Sequence, residues 1–235
     1  MVTEETTGWQ GIGELLDDWM RLDATIARSN HAEGRSFNPL PWLKIGETMH
    51  SRILGDFLDP QGSHGQGAIF LMPFLEELGV PEPQAGIWHV TVETGRVDIL
   101  IWRNEPRRSA VIIENKAKDA VDQLNQIYRY WHHEVFLWDP AAWPMGNPMA
   151  IEERRRDFHV VYLPTGKDKG PAAHSMERPQ GMEKANPWDR VPLKCTIMPL
   201  ADLMELWERE SVGKVPPTNH RLNAFIGLYQ ELWKK

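Results

Sequence analysis

Apolar residues first recur at helical spacing near the start of the chain, where Trp9, Ile12, Leu15, Leu16, Trp19, Leu22 and Ile26 predict a helix from Trp9 to about Arg28. Its polar face gathers no chemistry, so core packing accounts for the stripe. A polar, glycine-containing connection ends at Asn38-Pro39, which supplies cap and first-turn residues for a second helix, roughly Pro41 to Leu58. In that helix Trp42, Ile45, Met49, Ile53 and Phe57 make one apolar stripe, and Glu47, His50, Ser51 and Leu54 lie near one another on a second. Asp59-Pro60 stops the helix. A glycine-rich loop, Gln61 to Gly67, leads into an apolar helix from Ala68 to Leu78, and Pro81-Glu82-Pro83 marks a linker.

The period then changes to two. Trp88 to Glu93 reads as a first strand, turned back at Thr94-Gly95. In the second strand Val97, Ile99 and Ile101 share one face, while Asp98 and Leu100 share the other. A short loop around Asn104 to Arg108 returns the chain antiparallel into Ala110 to Lys116. Asp119 is a cap for a helix from Ala120 to about Leu137, with Gln123, Gln126 and Tyr130 beside an apolar stripe of Leu124, Ile127, Trp131 and Val135. Asp139 to Ile151 is irregular, and Phe158 to Leu163 is the next strand. Thr165 to Arg190 has no period and is rich in Gly, Pro and charge, which predicts a mobile loop. Pro192 to Met198 is a last strand, and helices near Leu200 to Glu210 and Thr218 to Trp233 follow. The pattern predicts one α/β (α+β) domain: a central mixed sheet of four to five strands flanked by helices, with residues 1–38 as a helical extension, 39–198 as core and 199–235 as C-terminal helices.

The candidate chemistry sits where two strands meet. Alternation puts Glu114 and Lys116 on one side of their strand and Asn115 on the other, and the hairpin makes Asp98 a neighbour of Glu114. Two acidic oxygens and an amine can converge there on a divalent metal. Glu114 closes the apolar run Val111-Ile112-Ile113, and charge at the buried end of such a strand is rare without a purpose. A structural ion pair with a nearby Arg would satisfy the same pattern. Glu47 and His50 stand one turn apart on the second helix, as a site pair or as an exposed helix pair. Glu93 is a further acidic candidate for the metal, with surface placement as its alternative. His64 lies in a loop whose amides could cradle phosphate, but the loop lacks the lysine and hydroxyl of a nucleotide-binding loop and reads better as a turn. No zinc spacing and no nucleophile elbow competes.

At GRVDIL, IIENK and QLNQIYRY, together with ETMHSRILGDFLDPQGSHGQGAIFLMPFL, the chain resembles the PD-(D/E)XK nuclease superfamily, the restriction-endonuclease-like enzymes, in a bacterial branch. The likeness covers roughly residues 40 to 200; it departs where Val97, not Pro, precedes Asp98. It implies a restriction-endonuclease-like core with Asp98 on the second strand and Glu114-Asn115-Lys116 on the third. It also implies Mg²⁺ or Mn²⁺ held by Asp98 and Glu114 with Glu47, and a catalytic set that includes Lys116, Gln123 and Gln126; Glu93 as the alternative metal ligand and His50 as a catalytic residue holding a metal water or phosphate are expected from their own positions. The activity so implied is metal-dependent hydrolysis of nucleic acid, DNA being the expected substrate, in bacterial defence against foreign DNA. The alternative is a silent or partner-gated nuclease-fold protein that binds nucleic acid or another protein, and a homodimer or an activating partner is compatible with either.

Composition changes this picture in two ways. The single Cys195 of 235 residues excludes a disulfide framework and suits a reducing compartment; with no apolar run of membrane-span length and no signal-peptide pattern, the expectation is a soluble cytoplasmic protein. The net charge of −7 has the wrong sign for indiscriminate nucleic-acid binding. Affinity is then expected from local patches: Arg103, Arg107 and Arg108; Lys116 with Lys118; Arg154-Arg155-Arg156; Lys167 with Lys169. Each has a solvated face as its plainer reading.

Overall fold

The computed structural model describes residues 15–25, 38–43, 45–94, 97–117, 121–167 and 169–233. Its contacts divide the chain after Leu43, into Met1–Leu43 and Lys44–Lys235. In the first unit the described part of the predicted helix is α1, residues 15–25. Leu15, Leu16, Trp19 and Leu22 are exposed on it, so the stripe that suggested core packing is not buried. Trp9, Ile12 and Ile26 lie outside the described residues, as do Gly95, Lys118 and the cap candidate Asp119.

The second unit is built on one five-stranded sheet, in the order β1 (His89–Thr94), β2 (Val97–Arg103), β3 (Ser109–Lys116), β4 (Phe158–Pro164), β5 (Cys195–Ile197). The first three strands are antiparallel neighbours, while β4 joins β3 and β5 joins β4 in parallel. All eight residues of β3 are buried, as the central strand of a sheet covered on both faces requires. On one face Leu100, Ile112, Val160 and Tyr162 pack with Ile127 and Trp131 of α4 (Gln126–Glu134). By strand alternation Ile99, Ile101, Val111 and Ile113, all fully buried, occupy the other. Helix α2 (Glu47–Leu58) packs against β1, β2 and β3, and α3 (Leu71–Glu77) packs against α6 (Leu200–Glu210). Phe57, Phe70 and Trp207 join these helices edge to face, and Trp207 Nε1 donates to Phe70 O at 3.0 Å.

Helix α2 starts at Glu47, later than predicted, because Pro39–Leu43 is closed into a turn by Trp42 N–H to Pro39 O. Its buried face joins the second stripe to Phe57 of the apolar one: His50, Ser51, Leu54, Phe57 and Leu58 are covered, while Met49 is exposed. Gly55 lies on that covered face, and a Cβ there would stand 2.2 Å from Val92 Cγ2, so only glycine allows α2 to approach β1 so closely.

Two further expectations are corrected. The helix after β3 begins at Gln126, not Ala120, because side-chain bonds tie the preceding residues elsewhere: Asp122 Oδ2 accepts from Ala172 N at 2.7 Å and Asn125 Nδ2 donates to Glu177 O at 2.7 Å. Asn125 itself, at φ 55°, is left-handed. The stretch predicted as a mobile loop is pinned to the core: Asn186 Nδ2 meets His132 Nδ1 at 3.0 Å, Trp188 Nε1 donates to Trp143 O, and Met176 and Val191 are buried against α4. Within the irregular excursion, α5 (Pro148–Arg154) forms behind an Asn147 cap that accepts from Ala150 N. Helix α6 has the predicted bounds, and α7 (His220–Glu231) completes the unit.

Candidate active site

The site is assembled where β2 begins and β3 ends, beside the first turn of α2. Ile99 pairs with Ile113, and one step further along the same register Asp98 faces Glu114. Asp98 Oδ2 accepts from Asn115 N–H at 2.8 Å, which ties the second strand's carboxylate to the third strand's backbone. Glu114 is fully buried and Lys116 is 3% exposed. The Lys116 ammonium is paired with Glu114 Oε1, reaches Gln126 Oε1 at 3.4 Å, and has Asp122 Oδ1 at 3.9 Å. Gln126 is oriented by its own amide, which donates to the Tyr130 hydroxyl at 2.7 Å.

Glu47 comes in from α2. Its helix turn is held against β3 by Asn115, whose Nδ2 donates to Glu47 O at 3.2 Å and to Ser51 Oγ at 3.1 Å. Alternation thus gives β3 two functions: Glu114 and Lys116 form the site, and Asn115, pointing the other way, fastens the helix that carries Glu47. The Glu47 carboxylate is half-buried, with Oε1 covered and without a hydrogen-bond partner.

Electrostatics here are out of balance. Burial raises the Asp98 carboxyl above its ordinary range, Glu93 and Glu47 add to the rise, and Asn115 N–H and Lys116 oppose it. Burial also raises Glu114, reinforced by Asp98 and opposed by Lys116. Glu47 is raised by burial, with Lys116 and Lys169 acting against it. For Lys116 burial works against the charge, yet Glu114, Glu47 and Asp98 together lift it above the ordinary lysine value. It is therefore an ammonium among carboxyls that outnumber it.

A divalent cation fits this donor set. Glu114 Oε2 and Glu47 Oε1 are buried oxygens with no hydrogen-bond partner. Leaving such an acceptor unpaired costs about 1–3 kcal/mol. Hard oxygens around a deficit of positive charge suit Mg²⁺ or Mn²⁺. Among the described residues no group of three or more His, Cys, Asp or Glu side chains is already arranged to hold a metal ion; Asp98 and Glu114 are the two carboxyls that the strand register brings side by side.

Other residues singled out from the sequence are placed elsewhere. His50 is buried, its Nδ1 3.1 Å from the Tyr229 hydroxyl and its ring edge-on to Trp233, which directs it to α7 and not to the carboxylates. Gln123 precedes α4 and is exposed; only its backbone N–H reaches the site, donating to Gln126 Oε1 at 3.3 Å. Glu93 is exposed at the end of β1 and bears on Asp98 through its charge. His64 is a turn residue, its Nδ1 accepting from Gln66 N.

The arginine patch on the β2–β3 hairpin is consumed by structure. Arg103 is fully buried, Arg107 pairs with Asp157 at 3.3 Å, and Arg108 stacks on Trp138 at 3.6 Å. Arg155 is tied to Glu152 and Pro192 O, and Lys167 pairs with Asp202. Sequence reasoning missed Asp122, Asn115 and the Tyr130 hydroxyl. Asp122 stands four residues before Gln126, a spacing that even the expected helix would have put on the glutamine's face.

The family model of the PD-(D/E)XK nuclease superfamily matches residues 37–191, which span Glu47, Asp98, Glu114, Lys116 and Gln126. No curated protein and no solved structure matches the chain.

Proposed function

Because the chain belongs to the PD-(D/E)XK nuclease superfamily, we propose that it hydrolyses phosphodiester bonds of nucleic acid, DNA being the substrate we favour, with Mg²⁺ or Mn²⁺. The observation that carries this reading is the set of buried Glu114 and partly buried Asp98 and Glu47 around one ammonium, with oxygens of Glu114 and Glu47 left without hydrogen-bond partners. Asp98 and Glu114 would hold the ion, and Glu47 would add an oxygen directly or through water. When bound, the ion polarises the phosphate and lowers the pKa of a water at neutral pH. Lys116, kept protonated by the surrounding carboxyls, offsets charge that develops on the phosphate oxygens. Gln126, braced by Tyr130, aims the Lys116 ammonium. A setting in defence against foreign DNA rests on the sequence resemblance alone.

The test is cleavage of plasmid, linear duplex, single-stranded DNA and RNA by purified protein with Mg²⁺ or Mn²⁺, beside Lys116→Ala. Metal-dependent products that vanish in the variant support the reading; equal products from both proteins sink it. Two observations favour a second reading, a partner-gated nuclease: Lys116 is already paired with Glu114, and the chain carries a net charge of −7. Inactivity on every substrate despite tight Mn²⁺ binding would select that reading.

A further inference from the structure

The Lys116 ammonium stands between two carboxylates of different character. Toward Glu114 it is already paired, and toward Asp122 there is a gap of 3.9 Å. Neither oxygen of Asp122 is free to swing: Oδ1 accepts from the Tyr162 hydroxyl at 3.1 Å and Oδ2 from Ala172 N–H at 2.7 Å. The Asp122 side chain is nearly covered, with 7% exposed. It is a fixed acceptor just out of reach of a flexible donor.

We propose that Asp122 is a positioning residue that takes over the Lys116 ammonium when Glu114 gives its oxygens to a divalent ion. The proposal rests on the metal-dependent reading above. A metal on Glu114 brings a second positive charge beside the ammonium, so the existing pair cannot persist unchanged. Lysine has a four-carbon stem and rotating donors, and closing the gap to a charge-assisted bond takes a shift of about 1 Å. Gln126 Oε1, at 3.4 Å, keeps one contact during the transfer. Without Asp122 the displaced ammonium would be left buried and unpaired, which opposes metal binding. The late start of α4 serves the same end: residues 121–125 run outside the helix, tied through Asn125 to His174 O and Glu177 O, and Asp122 is thereby fastened to the 172–177 stretch.

Two variants separate this role from a structural one. Asp122→Asn keeps a carbonyl for Ala172 N–H and an amide for the Tyr162 oxygen, and loses only the charge; Asp122→Ala loses all three. By calorimetry both should bind Mn²⁺ roughly 10- to 100-fold more weakly than the unaltered protein, with the Asn variant melting close to it. If Asn binds Mn²⁺ as tightly as the unaltered protein while Ala does not, Asp122 is a structural tie and the proposal is overturned. A metal-free crystal structure of Glu114→Gln supplies an arm independent of any metal. Lys116 Nζ should be found within hydrogen-bond distance of Asp122, and an ammonium that stays away from it overturns the transfer. Failure of the unaltered protein to bind Mn²⁺ would instead remove the metal-dependent reading, with the Glu114→Gln structure still deciding where the ammonium goes.

Discussion

At the far end of β2, Arg103 is fully buried and each of its three nitrogens donates: Nε to Ser109 Oγ, Nη1 to Glu82 O and Ala85 O, and Nη2 to Pro81 O. Its guanidinium carbon, Cζ, also lies 4.6 Å from the centre of the Trp88 ring. At the other end of the hairpin Glu114 is equally buried, yet it meets one ammonium and has an oxygen with no hydrogen bond. Both ends carry buried charge, so burial of charge does not by itself mark a site. The difference is satisfaction: the arginine closes a network, and the carboxyls leave buried oxygens without hydrogen-bond partners.

Substitutions at the two ends should therefore fail in different ways. The largest effect is expected for Lys116→Ala, which should lower the cleavage rate roughly 100- to 1,000-fold. It should cost little thermal stability, because Glu114 can take up a proton when its partner is gone. Arg103→Met should do the reverse. It strands three carbonyls and should lower stability by about 3–5 kcal/mol in urea, while Mn²⁺ affinity in the protein that remains folded stays unchanged. A loss of Mn²⁺ affinity in folded Arg103→Met, or a loss of stability in Lys116→Ala equal to that of Arg103→Met, would erase the contrast.

A third measurement concerns pH. Asp98 and Glu114 are raised in the folded protein, chiefly by burial. A carboxyl with a raised folded pKa supports folding below its unfolded value, and that support is lost as pH rises through the folded value. The metal-free protein should thus lose stability from about pH 4 toward neutrality relative to Glu114→Gln. Mn²⁺ affinity should climb over the same range, because metal and protons compete for the oxygens. A flat affinity profile would mean that these carboxyls are not the ligands. The smallest effect is expected for Gln123→Ala, whose side chain is exposed outside α4; its cleavage rate should equal that of the unaltered protein, and a large loss would return Gln123 to the site.

The strands and the Asp98, Glu114 and Lys116 placement were legible because alternation converts sequence directly into faces, and the run from Val111 to Ile113 admits no other reading. The bounds of α6 followed from an uninterrupted helical period. Part of what failed concerns apolar residues expected in the core that are exposed, as on α1 and at Met49; the rest concerns polar side chains whose covering partners are distant in sequence. His50 is covered through Tyr229 and Trp233, Ser51 through Asn115, and Arg103 through the 81–85 turn, none of which local periodicity reveals. The start of α4 was missed for the same reason, since its anchors lie some fifty residues away at Ala172 and Glu177. The resemblance named Glu47, Gln126 and the central triad, which the structure brings to one end of the sheet, but it could not say where His50 and Gln123 point.

The close approach at Gly55 sets a mechanical tolerance for the whole centre. A single methyl there would wedge the helix off the first strand, and the rigid rod would lever its opening turn away from the strand ends. The carboxylate of Glu47 would retreat although nothing near it had changed. The depth of one side chain, eight residues downstream, thus acts as a gauge for how near Glu47 stands to the carboxyls of the strand ends.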